Sequence, residues 1–290
     1  QDGRGAFQEL DQVPMTAPVT KLSFRSKRVS DFGFDTARAI RTAKSGRPGP
    51  VHMALPFDLV DADVSGSIVP SSIAFTKERM RLSGGDIRLV LQTLTEAKRP
   101  LVICGPAMNE TRNPGRLHAL SDALDAPVVV MESPRGFKDP ALGNFSQALL
   151  QADVIVCLGK RIDFTLNFGS PATFDQSCKW IVVEADVNER TRAHLNLGTQ
   201  LAACFAADPR DIIDDLIVAA IGNMGRYEWR TEVANLITTR DYSEKDQVNS
   251  GKITPAQLCA AVQRQLERAS KSILICDGGE FGQWAQFGLR

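Results

Sequence analysis

Apolar positions along the chain follow two alternating patterns. Short unbroken apolar runs at 101–104, 128–131, 154–158, 180–183 and 202–205 predict strands buried on both faces. Ile87, Val90, Leu91 and Leu94 recur at helical spacing after Asp86, a good N-cap, and predict an amphipathic helix. A second helix is predicted over 115–124. A third is opened by Asp208-Pro209 and carried by Ile212, Ile213, Leu216 and Ile217. Strands buried on both faces and alternating with helices predict an α/β domain over 82–222. It would be a parallel, Rossmann-like sheet covered on both sides. The sequence has no G-x-G-x-x-G, so the standard dinucleotide fingerprint is missing.

The flanks follow a different punctuation. Residues 34–45 predict a helix closed by Gly46 with Pro48 beyond, then a strand over 51–55 ending at Pro56. Residues 60–80 and 223–252 are polar and patternless and predict two linkers. Thr254-Pro255-Ala256-Gln257 is a capping box with proline at the first helical position. The helix it opens runs through Leu258, Val262 and Leu266, and a strand over 272–276 leads into the Asp277-Gly278-Gly279 turn. The predicted organisation is therefore a domain end at 1–65, a whole domain at 82–222 and a domain start at 253–290. The first residue is not Met, and the last strand lacks its following helix. Both features lead to the expectation that the chain is a piece of a longer protein.

Charge and cysteine usage narrow the function classes. The 290 residues carry 34 Lys plus Arg and 34 Asp plus Glu, a formal balance of zero. This argues against a nucleic-acid or membrane-surface partner, and no apolar run is long enough to span a bilayer. The six cysteines, Cys104, Cys157, Cys178, Cys204, Cys259 and Cys276, form no CxxC pair. A disulfide framework or zinc site is not expected, and a reducing compartment, the cytoplasm, is.

Three segments, taken in order, resemble one enzyme family. The first is GAFQELDQ (5–12) with PVTK (18–21) and SGRPGPVHMALPFDL (45–59). The second is LVICGPAMN (101–109), LGKRIDFTLNFG (158–169) and VVEAD (182–186). The third is ICDGGEFGQW (275–284). Together they are similar to the thiamine-diphosphate-dependent enzymes of the acetolactate synthase type, and the likeness runs over nearly the whole chain. In GRPGP the glycines permit a sharp turn and the prolines fix φ, so a helix ends cleanly before a buried strand. In DGGEFG small residues let backbone N–H groups approach an anion beyond a strand's carboxyl end.

The resemblance assigns roles residue by residue. Phe7 and Gln8 match a Phe-Gln lining the space between the active site and the central-domain nucleotide. Lys21 matches a lysine at the substrate entrance, where a cation attracts an anionic 2-oxo acid. Gln8 and Lys21 are thus the catalytic candidates. Gly105, Gly159, Arg161, Asp163, Glu184 and Asp208 match nucleotide contacts of the central domain. Arginine suits a diphosphate because its fork donates two parallel bonds. Each assignment competes with a plainer structural one: a packed aromatic for Phe7, a solvated lysine for Lys21, a surface ion pair for Arg161, a strand-end acid for Glu184 and an N-cap for Asp208. Glu280, Phe281 and Gly282 match the diphosphate-contacting turn, with contact through backbone N–H, since a glutamate side chain would be repelled. Thr165 stands where flavin-binding members carry a second arginine. Residues 166–169 look more like the oxalyl-CoA decarboxylase and 2-hydroxyacyl-CoA lyase branch, some of which hold an adenine nucleotide without flavin. His52, His118 and His194 form no cluster and are assigned no catalysis.

What the resemblance implies is an enzyme, assembled as a homodimer or homotetramer, with thiamine diphosphate held between domains of two subunits. The leading reading is a decarboxylating carboligase on a 2-oxo acid. The alternative is a carbon–carbon lyase on 2-hydroxyacyl-CoA, oxalyl-CoA or a benzaldehyde-type substrate. A reading of another class is a nucleotide-binding module without catalysis. The cofactors implied are thiamine diphosphate, Mg²⁺ with ligands outside this chain, and FAD or ADP in the central domain. The family's activating glutamate and its GDG…N motif are expected before residue 1 and after residue 290, so these residues alone are expected not to turn over pyruvate.

Overall fold

A computed structural model describes residues 3–7, 9–65, 67–239 and 253–277, and near the C-terminus 279, 282, 284, 285, 288 and 289. The chain forms two compact units, Gln1–Arg81 and Leu82–Arg290.

In the first unit, helix α1 (Gln12–Thr16) precedes strand β1 (Leu22–Arg25). Helix α2 (Phe32–Lys44), strand β2 (Val51–Ala54) and the single turn α3 (Phe57–Val60) follow. The two strands pair in parallel, with Leu22 opposite Val51 and Arg25 opposite Ala54. Parallel neighbours need a crossover, and α2 supplies it with Ala37 buried.

In the second unit, helix α4 (Gly84–Glu96) leads into strand β3 (Pro100–Cys104). Then come α5 (Arg116–Leu124), β4 (Val128–Val130), α6 (Phe145–Gln151), β5 (Val154–Leu158) and β6 (Lys179–Val183). They are followed by α7 (Val187–Leu197), β7 (Leu201–Phe205), α8 (Pro209–Ala219), α9 (Tyr227–Thr238) and α10 (Pro255–Arg268). The five strands form one parallel sheet in the order β4-β3-β5-β6-β7. This is the α/β fold that the apolar runs predict.

Side chains alternate across the sheet and make a core on each face. Leu101, Ile103, Ile155, Cys157, Trp180 and Val182 pack toward α6, α7 and α9. Val102, Cys104, Val156, Leu158, Ile181 and Val183 pack toward α4, α5 and α8. Burial pushes the Cys104 thiol up to about 12 and raises that of Cys157 as well, so these cysteines pack as small hydrophobes.

Three local expectations are corrected. Ser83, not Asp86, caps α4. Asp86 is the reciprocal partner of the box, accepting from the Ser83 N–H at 3.1 Å while Ser83 Oγ accepts from the Asp86 N–H. Part of the expected linker 223–252 is helix α9, whose Trp229 and Val233 are buried in the sheet's core and whose Trp229 Nε1 donates to the Pro100 carbonyl at 2.8 Å. Its charged residues hide a two-anchor apolar stripe, and Arg226, before its first turn, makes no side-chain cap bond there. Residues 272–276 are not a strand: Ile273 and Ile275 stand exposed, because no strand among the described residues pairs with them. The capping box of α10 forms as expected.

Candidate functional site

The sheet order fixes where a ligand can enter. From β3 the chain moves outward to β4, then returns to the other side of β3 to lay down β5. The connections on either side diverge there, leaving a crevice beyond the carboxyl ends of β3 and β5, the position where open α/β sheets hold ligands. Gly105 follows β3, Gly159-Lys160-Arg161 follows β5, Glu184 follows β6, and Asp208 opens α8 after β7. The structure thus gathers Gly105, Gly159, Arg161, Asp163, Glu184 and Asp208 along one edge of the sheet.

The two glycines let this edge close. A Cβ on Gly105 would lie 2.1 Å from the Gly159 carbonyl oxygen. The Gly105 N–H donates to Leu158 O and the Gly159 N–H to Val183 O, both at 2.9 Å. Those donors extend the sheet's own hydrogen bonding, so the glycines act here by bringing two strand ends together. Gly159 has φ +67°, a left-handed conformation that a side chain disfavours.

A buried polar cluster lies beside them. The Lys160 ammonium, 6% exposed, donates to Thr165 Oγ1 at 2.6 Å. Asp163 Oδ1 accepts from both the Thr165 N–H, at 2.9 Å, and the Thr165 hydroxyl. The following loop is strained: Asn167 and Phe168 adopt φ +46° and +56°. It is held by Asn167 Nδ2 donating to Thr173 Oγ1 at 2.9 Å and by the Phe168 N–H donating to Asp163 O at 2.9 Å. Gly136 packs against it so closely that a Cβ there would lie 1.9 Å from the Thr165 carbonyl oxygen.

Arg161 offers the best group for an anion. Its Nε donates to Glu189 Oε1 at 3.1 Å, and Arg192 binds the other oxygen of the same buried carboxylate. Both guanidinium side chains remain nearly half exposed. One carboxylate therefore fixes two arginines and leaves donors that suit a diphosphate or carboxylate. The sequence reading missed Lys160, Glu189 and Arg192. The cue for Lys160 was its place directly after Gly159, and for Glu189 and Arg192 their three-residue spacing on one helix face.

Other candidates are placed in structural contacts. Asp208 caps α8 by accepting from the Arg210 N–H at 3.0 Å, and its carboxylate also binds the Arg210 side chain. The hydrogen bond to Asp208 raises the Arg210 guanidinium above its ordinary range. Glu184 Oε1 accepts from the Asp186 N–H at 3.0 Å. In the first unit the Lys21 ammonium donates to the Thr42 and Ser45 carbonyls at 2.7 and 2.6 Å, capping the end of α2. Phe7 is fully exposed. Gln8, Glu280 and Phe281 lie outside the described residues. Gly282 lines a cleft of about 660 Å³ together with Ser133, Arg135, Cys276, Asp277 and Gly279. Arg135 donates to the Gly279 carbonyl there at 2.8 Å. Among the described residues no three His, Cys, Asp or Glu side chains converge on a metal position, and no helix is long and apolar enough to cross a membrane.

Comparison with known proteins decides among the families that use such a sheet. Residues 87–216 match the thiamine pyrophosphate enzyme central domain. That stretch is a thiamine pyrophosphate enzyme central domain. The chain is 30% identical over 199 residues to 2-hydroxyacyl-CoA lyase 1 of Dictyostelium discoideum, covering 66% of this chain and 34% of that protein. It is 28% identical over 176 residues to the acetolactate synthase large subunit of Lactococcus lactis, covering 56% of this chain and 30% of that one. Its fold is that of benzoylformate decarboxylase from Polynucleobacter necessarius, with TM-score 0.70 at 17% identity over 97% of this chain and 51% of that one. The chain thus spans about a third of the length of these two curated relatives. The crevice at β3 and β5 belongs to this central domain, and all five strands of its sheet fall within the matched residues.

Proposed function

We propose that this chain is part of a thiamine-diphosphate-dependent carbon–carbon lyase acting on a 2-hydroxyacyl-CoA-like substrate. Its central domain would hold an adenine nucleotide in the crevice at β3 and β5. The observation that carries the reading is Thr165. Its hydroxyl is buried and committed to Lys160 and Asp163, so no arginine reaches from that position toward the crevice, as it does in the flavin-binding pattern. The similarity to a 2-hydroxyacyl-CoA lyase supports the same branch. Arg161 and Arg192, held by Glu189, are the groups we assign to the nucleotide's diphosphate.

Gly282 and Arg135, which line one cleft, fit the anionic end of thiamine diphosphate. When bound, that cofactor supplies the electron sink that a carbon–carbon cleavage next to a carbonyl requires. This chain's residues would then bind and orient: the cleft accepts the anion, and Gly282, where a Cβ would lie 2.5 Å from the Asp277 carbonyl oxygen, lets backbone approach it. A second reading, a 2-oxo-acid carboligase, is favoured by the similarity to acetolactate synthase.

Substrate competition separates the two. The full-length protein, supplied with thiamine diphosphate and Mg²⁺, is expected to release aldehyde from a 2-hydroxyacyl-CoA with kcat/KM at least about tenfold above that for CO₂ release from pyruvate. The opposite ratio would establish the carboligase reading instead.

A further inference from the structure

The loop at the start of the first unit is built around its own glutamate. Glu9 lies at the end of the turn Gly3–Phe7, and its carboxylate turns back over it. Oε2 accepts from the Gly5 N–H at 3.0 Å and the Ala6 N–H at 3.3 Å, and Oε1 accepts from the Gly3 N–H. The turn is closed by the Glu9 N–H donating to the Ala6 carbonyl at 3.0 Å. Convergent backbone N–H groups of this kind form a concave anion site. Gly3 and Gly5 both have φ +71°, with open space where a Cβ would stand. The two left-handed glycines therefore serve the direction of the N–H groups rather than relief of crowding.

The consequence appears at Phe7. Its ring is 93% exposed and stands on the rim of a cleft of about 330 Å³ lined by Glu9, Leu10, Arg25, Leu55 and Phe57. An exposed phenylalanine has no burial to hold it in place. What fixes its backbone is the turn, and what ties the turn together is the Glu9 carboxylate. We propose that Glu9 is a positioning residue. It serves as the internal anionic ligand of the Gly3–Ala6 N–H groups and thereby sets Phe7 at the cleft. The ligand class of this loop is a carboxylate, which the chain supplies to itself.

Chemical rescue tests this in the intact protein. In Glu9→Ala, amide exchange at Gly5 and Ala6 is expected to accelerate about tenfold over wild type, the loss of a charge-assisted hydrogen bond at each. Added sodium acetate should occupy the vacated position. Exchange should slow, and the Gly3, Gly5 and Ala6 amide shifts and the Phe7 ring shifts should all move along one saturation curve. Sodium chloride at matched ionic strength should do neither. Glu9→Gln, which keeps the shape and loses the charge, should fall between wild type and Glu9→Ala. Unchanged exchange in Glu9→Ala, or equal effects of acetate and chloride, would overturn the assignment. Amides of β3 serve as the folding control.

Discussion

Gly105→Ala is expected to cost roughly 3 kcal/mol of stability, at the upper end for a single added methyl in a packed interior. The added Cβ would lie 2.1 Å from the Gly159 oxygen and 2.7 Å from its carbonyl carbon. Neither side can yield cheaply. The Gly105 N–H is bonded to Leu158 O, and the Gly159 N–H to Val183 O, so moving either peptide pulls on a neighbouring strand. Gly105 itself has φ −79°, which any residue adopts, so the cost comes from the close contact with Gly159, whose φ is left-handed. For a domain of this size such a loss lowers the melting temperature by roughly 6–12 °C. Gly84→Ala is the control: its nearest neighbour would be Arg88 Nη1 at 3.6 Å, at the first position of a helix, and it should change stability by less than about 0.5 kcal/mol. Thermal unfolding of the two variants beside wild type checks both statements. A harmless Gly105→Ala would show that the two strand ends do not need their close approach.

Arg226→Met is expected to be equally severe, about 3–5 kcal/mol, because it removes a buried charge from the groups arranged around it. The Arg226 guanidinium reaches the ends of two helices at once. Nη2 donates to Leu94 O at 2.5 Å, Thr95 O at 3.1 Å and Ala97 O at 2.8 Å, at the end of α4, and Nη1 reaches Leu124 O of α5 at 3.4 Å. Those carbonyls lie at the helix ends, where intrahelical donors run out, and Leu94 O also accepts from the Ala97 N–H at 3.3 Å. Asp125, the left-handed residue that ends α5, completes the latch by accepting from the Met224 and Arg226 N–H groups at 2.8 and 2.9 Å. Burial would raise the Asp125 carboxyl, but those N–H donors and Arg230 outweigh it and hold it below the ordinary carboxylate range. Methionine fills much of the volume and satisfies none of the carbonyls. Lysine should restore only part of the loss, since a single ammonium cannot span both helix ends as the planar fork does. The denaturant midpoints of Arg226→Met and Arg226→Lys measure this. A loss below about 1 kcal/mol in Arg226→Met would mean that water satisfies those carbonyls instead.

Arg226 also shows why part of the fold was hidden in the sequence. The five strands are continuous apolar runs, and their order along the chain with intervening helices is enough to specify a parallel α/β sheet. The helix that follows Arg226 mixes charged, polar and apolar residues, and its register appears only once Trp229 and Val233 are seen to meet a core assembled from distant strands. The same distinction applies at the site. Glycines and an arginine at strand ends were legible because topology alone makes those positions matter. Lys160 was not, because its burial depends on how the loop after β5 folds back to place Thr165 against it. For Asp208 the sequence offers two readings, ligand contact and helix cap, and the structure places its carboxylate on the cap and on Arg210. At 272–276 apolar composition suggested a strand that has no pairing partner among the described residues, since pairing is not a local property.

Cofactor dependence bears most directly on the function proposed for this chain. The full-length protein should be stripped of thiamine diphosphate and Mg²⁺ and assayed for aldehyde release from a 2-hydroxyacyl-CoA. Release should be absent from the stripped protein and return only when both are added back. Undiminished cleavage by the stripped protein, or none after both are restored, would contradict the assignment of this chain to a thiamine-diphosphate-dependent lyase.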